Sequence, residues 1–275
     1  MKTLCSSLKD TLKVGRFIIP YRIYENNGPQ IICINGVQQS MAMWQSFISR
    51  FSSKYRIVLF DFPGQGKAEI LSGLPHVTLD EQVQILLAVL EKTNMNENAI
   101  MCTASWGGVV AVAFAAKYPD RIKKMVLASL GTKPNKKMVE TIMKGHALET
   151  HDRDTMAQVL IKAFGENLPL DFKQKIVNQF RKMKEENLRA FCEHGLFVIS
   201  SKKLSDMVDL KKIKARTILL SGEKDTIIDL DDVKFLATQI PDCEIRIIKG
   251  VGHFMHIENA SVLDIYEIIL QGMAK

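Results

Sequence analysis

The chain has 275 residues, 47% of them hydrophobic, and a formal net charge of +7. That length and apolar content suit one α/β domain carrying an insertion better than two independent domains. The positive charge lacks the clustered, motif-supported face that nucleic acid requires, no run is long enough to span a membrane, and no secretory-type apolar run precedes Arg16.

In chain order, Phe17 to Tyr24 reads as an antiparallel edge strand. Short apolar runs that suit buried strands follow: Gln30 to Asn35, Arg56 to Phe60, Ile100 to Thr103, Lys124 to Ser129, Thr217 to Ser221 and Glu244 to Ile248. Helical patterns lie between them. Strands alternating with helices predict a mostly parallel sheet, and near-continuous Ile/Val/Leu content is what strands covered on both faces require. From Thr132 to Ile213 the strand signal stops. Met138, Ile142, Leu160, Ile161, Phe164, Phe172, Ile176, Phe180, Phe191 and Phe197 recur there at helix-like intervals, predicting an inserted helical cap. The expected division is a core of residues 1–132 and 213–275 and a cap of 133–212. The segment 133–215 holds 17 Lys/Arg against 11 Asp/Glu, so most of the excess positive charge lies in one region.

Cys5, Cys33, Cys102, Cys192 and Cys243 are odd in number, scattered and without a CxxC, which predicts reduced thiols and a cytoplasmic address.

The stretch from Ile100 to Ala111 is an apolar strand, a tight turn with Ser105, and a small-residue helix start. It reads as a nucleophile elbow, with Thr103 where the G-x-S-x-G pattern has its first glycine and with Gly107 and Gly108 keeping the helix side open. A serine hydroxyl is a poor nucleophile until a histidine takes its proton, and the histidine needs an orienting carboxylate. Asp225 follows one strand through Gly222-Glu223-Lys224, and His253 follows the next through Gly250-Val251-Gly252. The order Ser, Asp, His is that of an α/β-hydrolase site. Glu223 and Asp229 are weaker acid candidates, Asp229 being expected to start or cap the next helix. His256 is the rival base, with packing the favoured role. His76, His146, His151 and His194 lack metal-ligand spacing and read as ordinary surface or cap residues. Oxyanion donors are expected from the Trp106 N–H and, after the Asn35-Gly36 turn, the Val37 N–H, unless that turn is structural alone. Asp61 to Gly66 reads as a structural turn bordering the site and not as a phosphate cradle. Trp44 and Met41-Ala42-Met43 could line an acyl pocket or pack in the core.

These residues in this order resemble the α/β-hydrolase superfamily over nearly the whole chain. Within it, Ile34-Asn35-Gly36, Val58 to Pro63, Leu79 to Glu91, Ala104-Ser105-Trp106-Gly107-Gly108, Gly252-His253-Phe254, and Lys144 to Leu148 on to Pro169 are similar to the rhamnolipid-pathway 3-hydroxyacyl acyltransferases. They are similar also to the related 3-hydroxyacyl-carrier-protein transacylases and thioesterases. The resemblance implies a cofactor-free and metal-free serine enzyme in which Ser105, Asp225 and His253 pass an acyl group from a carrier-protein or coenzyme A thioester to a hydroxyl, or to water. Hydrolysis of simple esters is the alternative activity, and a noncatalytic receptor on the same fold is a third. An acidic acyl carrier protein would meet Lys173, Lys175, Arg181, Lys182 and Lys184, unless these are an ordinary solvated face.

Overall fold

The computed structural model describes residues 7–37, 39–148 and 152–274; Cys5 and His151 lie outside them. The first half holds β1 (Ser7–Val14), β2 (Phe17–Tyr24), β3 (Gln30–Ile34), α1 (Gln45–Phe51), β4 (Arg56–Phe60), β5 (Glu69–Ile70), α2 (Leu79–Lys92), β6 (Ile100–Ala104), α3 (Trp106–Lys117) and β7 (Lys124–Ala128). Four helices follow: α4 (Lys136–Leu148), α5 (Arg153–Phe164), α6 (Leu170–Lys182) and α7 (Glu185–Ser200). The chain ends with α8 (Leu204–Met207), β8 (Arg216–Gly222), α9 (Leu230–Gln239), β9 (Cys243–Ile248), α10 (Met255–Glu258) and α11 (Val262–Ala274).

The strands form one sheet in the order β1-β2-β4-β3-β6-β7-β8-β9, with β5 paired to β2. From β4 to β9 all neighbours are parallel; β1, β2 and β4 pair antiparallel. The parallel part follows from apolar residues on both sides of each strand. Ile31, Cys33, Ile57, Leu59 and Cys102 point into one core with Phe47, Tyr266 and Leu270 of α1 and α11. Their alternates Ile32, Ile34, Val58, Phe60 and Met101 point into another with Leu86, Val110 and Leu236 of α2, α3 and α9. The expected edge position of Phe17–Tyr24 is corrected: Ser7–Val14 pairs along its whole length. That outer strand is mostly exposed and lysine-bearing, so it lacks the apolar run by which the interior strands are recognised.

Residues between β7 and β8 form the helices expected from their periodicity, and Met156, Ile161, Val177, Phe180, Leu188 and Cys192 make a small core of their own. Cys33, Cys102 and Cys192 are buried and Cys243 is half-buried. Among the described residues no helix is long and apolar enough to cross a membrane.

Candidate active site

Parallel strands aim their carboxyl ends the same way, and the turns leaving β3, β6, β8 and β9 carry the candidate residues. Ser105 leaves β6 with φ 50° and ψ −122°, an L-residue held in positive φ. Its N–H donates to Ala128 O of β7 at 2.8 Å, and its carbonyl accepts from Gly108 N at 2.8 Å. The glycines explain how the turn closes. A Cβ on Gly107 would stand 2.5 Å from Asn35 O, and one on Gly108 would stand 3.3 Å from Thr103 Oγ1. Thr103, at the usual glycine position, is fully buried with its hydroxyl beside Gly108. As first residue of α3, Trp106 has an N–H with no intrahelical acceptor.

Asp225 is anchored through Oδ1, which accepts from the N–H groups of Ile227 (2.9 Å) and Ile228 (3.2 Å), and its Oδ2 lies 2.8 Å from His253 Nδ1. That contact turns Nε2 away from the carboxylate. Both side chains are buried. Burial opposes the imidazolium, but the charge and hydrogen bond of Asp225 outweigh it and hold the His253 pKa above its ordinary value. Burial likewise opposes ionised Asp225, yet His253 and the two backbone donors keep its pKa below the usual carboxylate value. The two loops are tied together by Lys224 N to Val251 O at 2.8 Å, and Gly222 passes so close that a Cβ there would stand 2.3 Å from Gly252 O.

Ser105, His253, Val37 and Trp106 all line one cavity of about 330 Å³. Ile142, Leu160, Phe164, Phe172, Ile176 and Phe180 of the inserted helices close its other side. Exposed Lys133, Lys175 and Lys202 line it as well. Among the described residues no hydrogen bond joins Ser105 Oγ to His253, whose ring is bonded to Asp225.

The other candidates are placed elsewhere. Glu223 accepts from Gly250 N at 3.0 Å, and Asp229 accepts from Asn135 at 2.9 Å at the start of α9 without capping it. His256 is packed against Trp44 and Tyr266, its pKa lowered to about 4 by burial. His76 is half-buried on the loop before α2. His146 and His194 both lie on the inserted helices, in α4 and α7. His146 is half-buried along the cavity, whereas His194 turns a buried, unpartnered Nε2 inward with its ring 5.7 Å from Trp106, its pKa lowered to about 4 by burial. Spacing could have revealed His194, which lies three residues from both Phe191 and Phe197. Trp44 packs wholly in the core, while Ala42 and Met43 line the cavity. Of the basic residues on α6 and beyond, Lys175 pairs with Asp171, Arg181 with Asp154 and Lys184 with Glu186, while Lys173 donates to Glu166 O.

Two supporting groups were not anticipated. Ser129 has φ 56°, and its hydroxyl donates to the His253 carbonyl at 2.7 Å. Glu258 accepts from Gly252 N and Phe254 N at 2.6 and 2.9 Å, gripping the histidine loop from both sides.

Residues 29–260 match the family model described as alpha/beta hydrolase fold. The chain is 24% identical over 250 residues to the (R)-3-hydroxydecanoyl-ACP:CoA transacylase of Pseudomonas aeruginosa, covering 89% of this chain and 82% of that protein. It is 26% identical over 266 residues to the 2-hydroxy-6-oxononadienedioate/2-hydroxy-6-oxononatrienedioate hydrolase of Comamonas testosteroni, covering 89% of each. Among solved structures, an alpha/beta hydrolase enzyme from a Medee basin deep-sea metagenome library superposes with a TM-score of 0.81 at 22% identity, over 96% of both chains.

Proposed function

The chain belongs to the alpha/beta hydrolase fold family, and from that premise we propose that it is a serine acyltransferase acting on 3-hydroxyacyl thioesters through an acyl-enzyme on Ser105. The observation that carries the reading is the meeting of the Ser105 turn and the Asp225–His253 pair at one predominantly apolar cavity. Ser105 Oγ attacks the thioester carbonyl carbon as His253 Nε2 accepts its proton. The oxyanion is held by the N–H groups of Val37 and Trp106. The C–S bond then breaks, and the proton passes from His253 to the departing thiolate. In the second half, the hydroxyl of another 3-hydroxyacyl chain loses its proton to His253 and forms the new ester bond while Ser105 leaves and is reprotonated. Asp225 fixes the ring orientation and stabilises the imidazolium. Residues 133–212 act as the cap, supplying the apolar wall for the acyl chain.

The likeness to a 3-hydroxydecanoyl transacylase supports this donor class, and Lys133 and Lys202 at the cavity suit the phosphates of a phosphopantetheine or coenzyme A thioester. The likeness to a 2-hydroxy-6-oxononadienedioate hydrolase favours a second reading, in which water deacylates Ser105. Intact-protein mass spectrometry and product analysis with a 3-hydroxyacyl-coenzyme A decide between them. A dimeric hydroxyacyl ester, absent with Ser105→Ala, supports transfer; free hydroxy acid alone supports hydrolysis; and turnover unchanged by Ser105→Ala overturns both.

Carrier-protein docking on α6 is the partner this reading implies. The pairing of Lys175, Arg181 and Lys184 with neighbouring carboxylates reduces the free charge there. Reversing Lys173 and Lys182 to Glu is expected to slow carrier-bound donors while sparing coenzyme A donors.

A further inference from the structure

Val37 sits on a turn outside the β ladder, yet an oxyanion donor must lie within a few tenths of an ångström of its working position. The strand-to-strand hydrogen bonds of the sheet end before it, so something else must hold the loop. The turn after β4 does. Asp61 Oδ1 accepts from Asn35 Nδ2 at 3.0 Å and from Met41 N at 2.7 Å. Asn35 donates to Phe60 O at 3.1 Å, and its Oδ1 accepts from Trp44 Nε1 at 2.8 Å. With its amide oriented so that the NH₂ faces carbonyls, Gln65 donates to Gln39 O at 2.9 Å and Gly36 O at 3.2 Å. The start, middle and end of the Val37 loop are therefore all bonded, directly or through Asn35, to one turn.

This turn carries a costly group. Asp61 is 2% exposed, and burial lifts its pKa to about 6 against the pull of its donors and of the Arg22 charge. Gly66 makes space for it: a Cβ there would stand 2.0 Å from Asp61 Oδ2. A turn that served only to reverse the chain would need neither a buried carboxylate nor a clash that only glycine avoids.

We propose that Asp61, working with Asn35 and Gln65, is a positioning residue that sets the Val37 N–H for the oxyanion. The proposal rests on the serine acyl-transfer reading. Asp61 touches no substrate and moves no proton; it acts through the loop it holds.

The test is Asp61→Asn, nearly the same shape but without the charged acceptor. The expected result is a kcat loss of about 10- to 100-fold with KM within about twofold. The inhibition constant of a trifluoromethyl ketone analogue, which adds to Ser105 as a tetrahedral adduct, rises by a similar factor. That of an unreactive ether analogue stays put. Trp44→Phe keeps the buried ring and removes only the donor to Asn35, so it is expected to give a smaller loss in the same two quantities and carries the test should Asp61→Asn not fold. Wild-type kcat and ketone affinity in the folded variants overturn the proposal. So does a loss shared equally by KM and the ether analogue, which would mark general loosening. If Ser105→Ala abolishes turnover while Asp61→Asn leaves it intact, the positioning proposal alone falls; if Ser105→Ala leaves turnover intact, the acyl-enzyme reading falls first.

Discussion

Gly107→Ala should damage folding and turnover together. The Cβ it adds would lie 2.5 Å from Asn35 O and 2.7 Å from Ile34 O, both backbone atoms that cannot swing aside, whereas real Cβ contacts essentially never fall below 3.0 Å. The start of α3 and the end of β3 must therefore separate by roughly half an ångström or more, and overpacking of this kind costs about 1–3 kcal/mol. The same contact joins the element that begins with Trp106 to the strand that leads into Val37, so the separation also spreads the two N–H groups proposed to hold the oxyanion. Misplacement on that scale is expected to cost about tenfold in kcat, short of the ~10²-fold for complete loss of one donor. Urea unfolding and acylation kinetics measure the two effects. Gly272→Ala is the control: nothing lies within 4 Å of its added Cβ, so it should stabilise α11 by about 0.5–1 kcal/mol and leave kcat alone. Wild-type stability and turnover in Gly107→Ala would refute the reasoning.

Asp225→Asn is expected to lower kcat by about 10⁴-fold and to shift the acid limb of kcat/KM to lower pH, because the carboxylate is what outweighs burial and keeps the His253 pKa raised; an unmoved limb would count against the pair. The pair also has a stability window. The Asp225 contribution is present above 3.8 and lost as pH falls through its lowered pKa, and the His253 contribution is present below 6.5 and lost as pH rises through its raised pKa, so the Tm deficit of Asp225→Asn should be greatest between those values. His256 works in the opposite sense. Buried neutral with a pKa lowered to about 4, it costs stability as pH falls below 6.5, so His256→Phe should flatten the acid loss of Tm by the equivalent of about 3 kcal/mol. Ser129→Ala strands the His253 carbonyl without its hydroxyl donor and should destabilise by about 1–3 kcal/mol in chemical denaturation.

The interior strands were legible because burial on both faces forces continuous Ile/Val/Leu runs, as in Ile57-Val58-Leu59-Phe60. Ser7–Val14 was not, because a strand with most residues exposed carries no such constraint, and Glu69–Ile70 is too short to show any period. The serine turn and the Asp225 and His253 loops were readable because close backbone approach demands glycine, and Gly107, Gly222 and Gly252 mark those approaches in the sequence. Asp61 was seen only as part of a turn. Its partners Asn35 and Met41, like the Gly36 and Gln39 carbonyls that Gln65 meets, belong to a different loop, and nothing in either loop alone says that the two come together. Ser129 was hidden for the same reason, since its acceptor lies 124 residues away in the chain.

The helical segment leaves and re-enters the sheet at one place: β7 and β8 are direct neighbours, and Leu204 N donates to Thr132 O at 2.7 Å. Its two ends are pinned side by side, so its length and helix count place no demand on the strand ladder beneath. Mutation can therefore rewrite the wall that faces the cavity while the serine, aspartate and histidine loops descend unchanged. Drift in one half and constancy in the other is the pattern of inheritance that this junction permits.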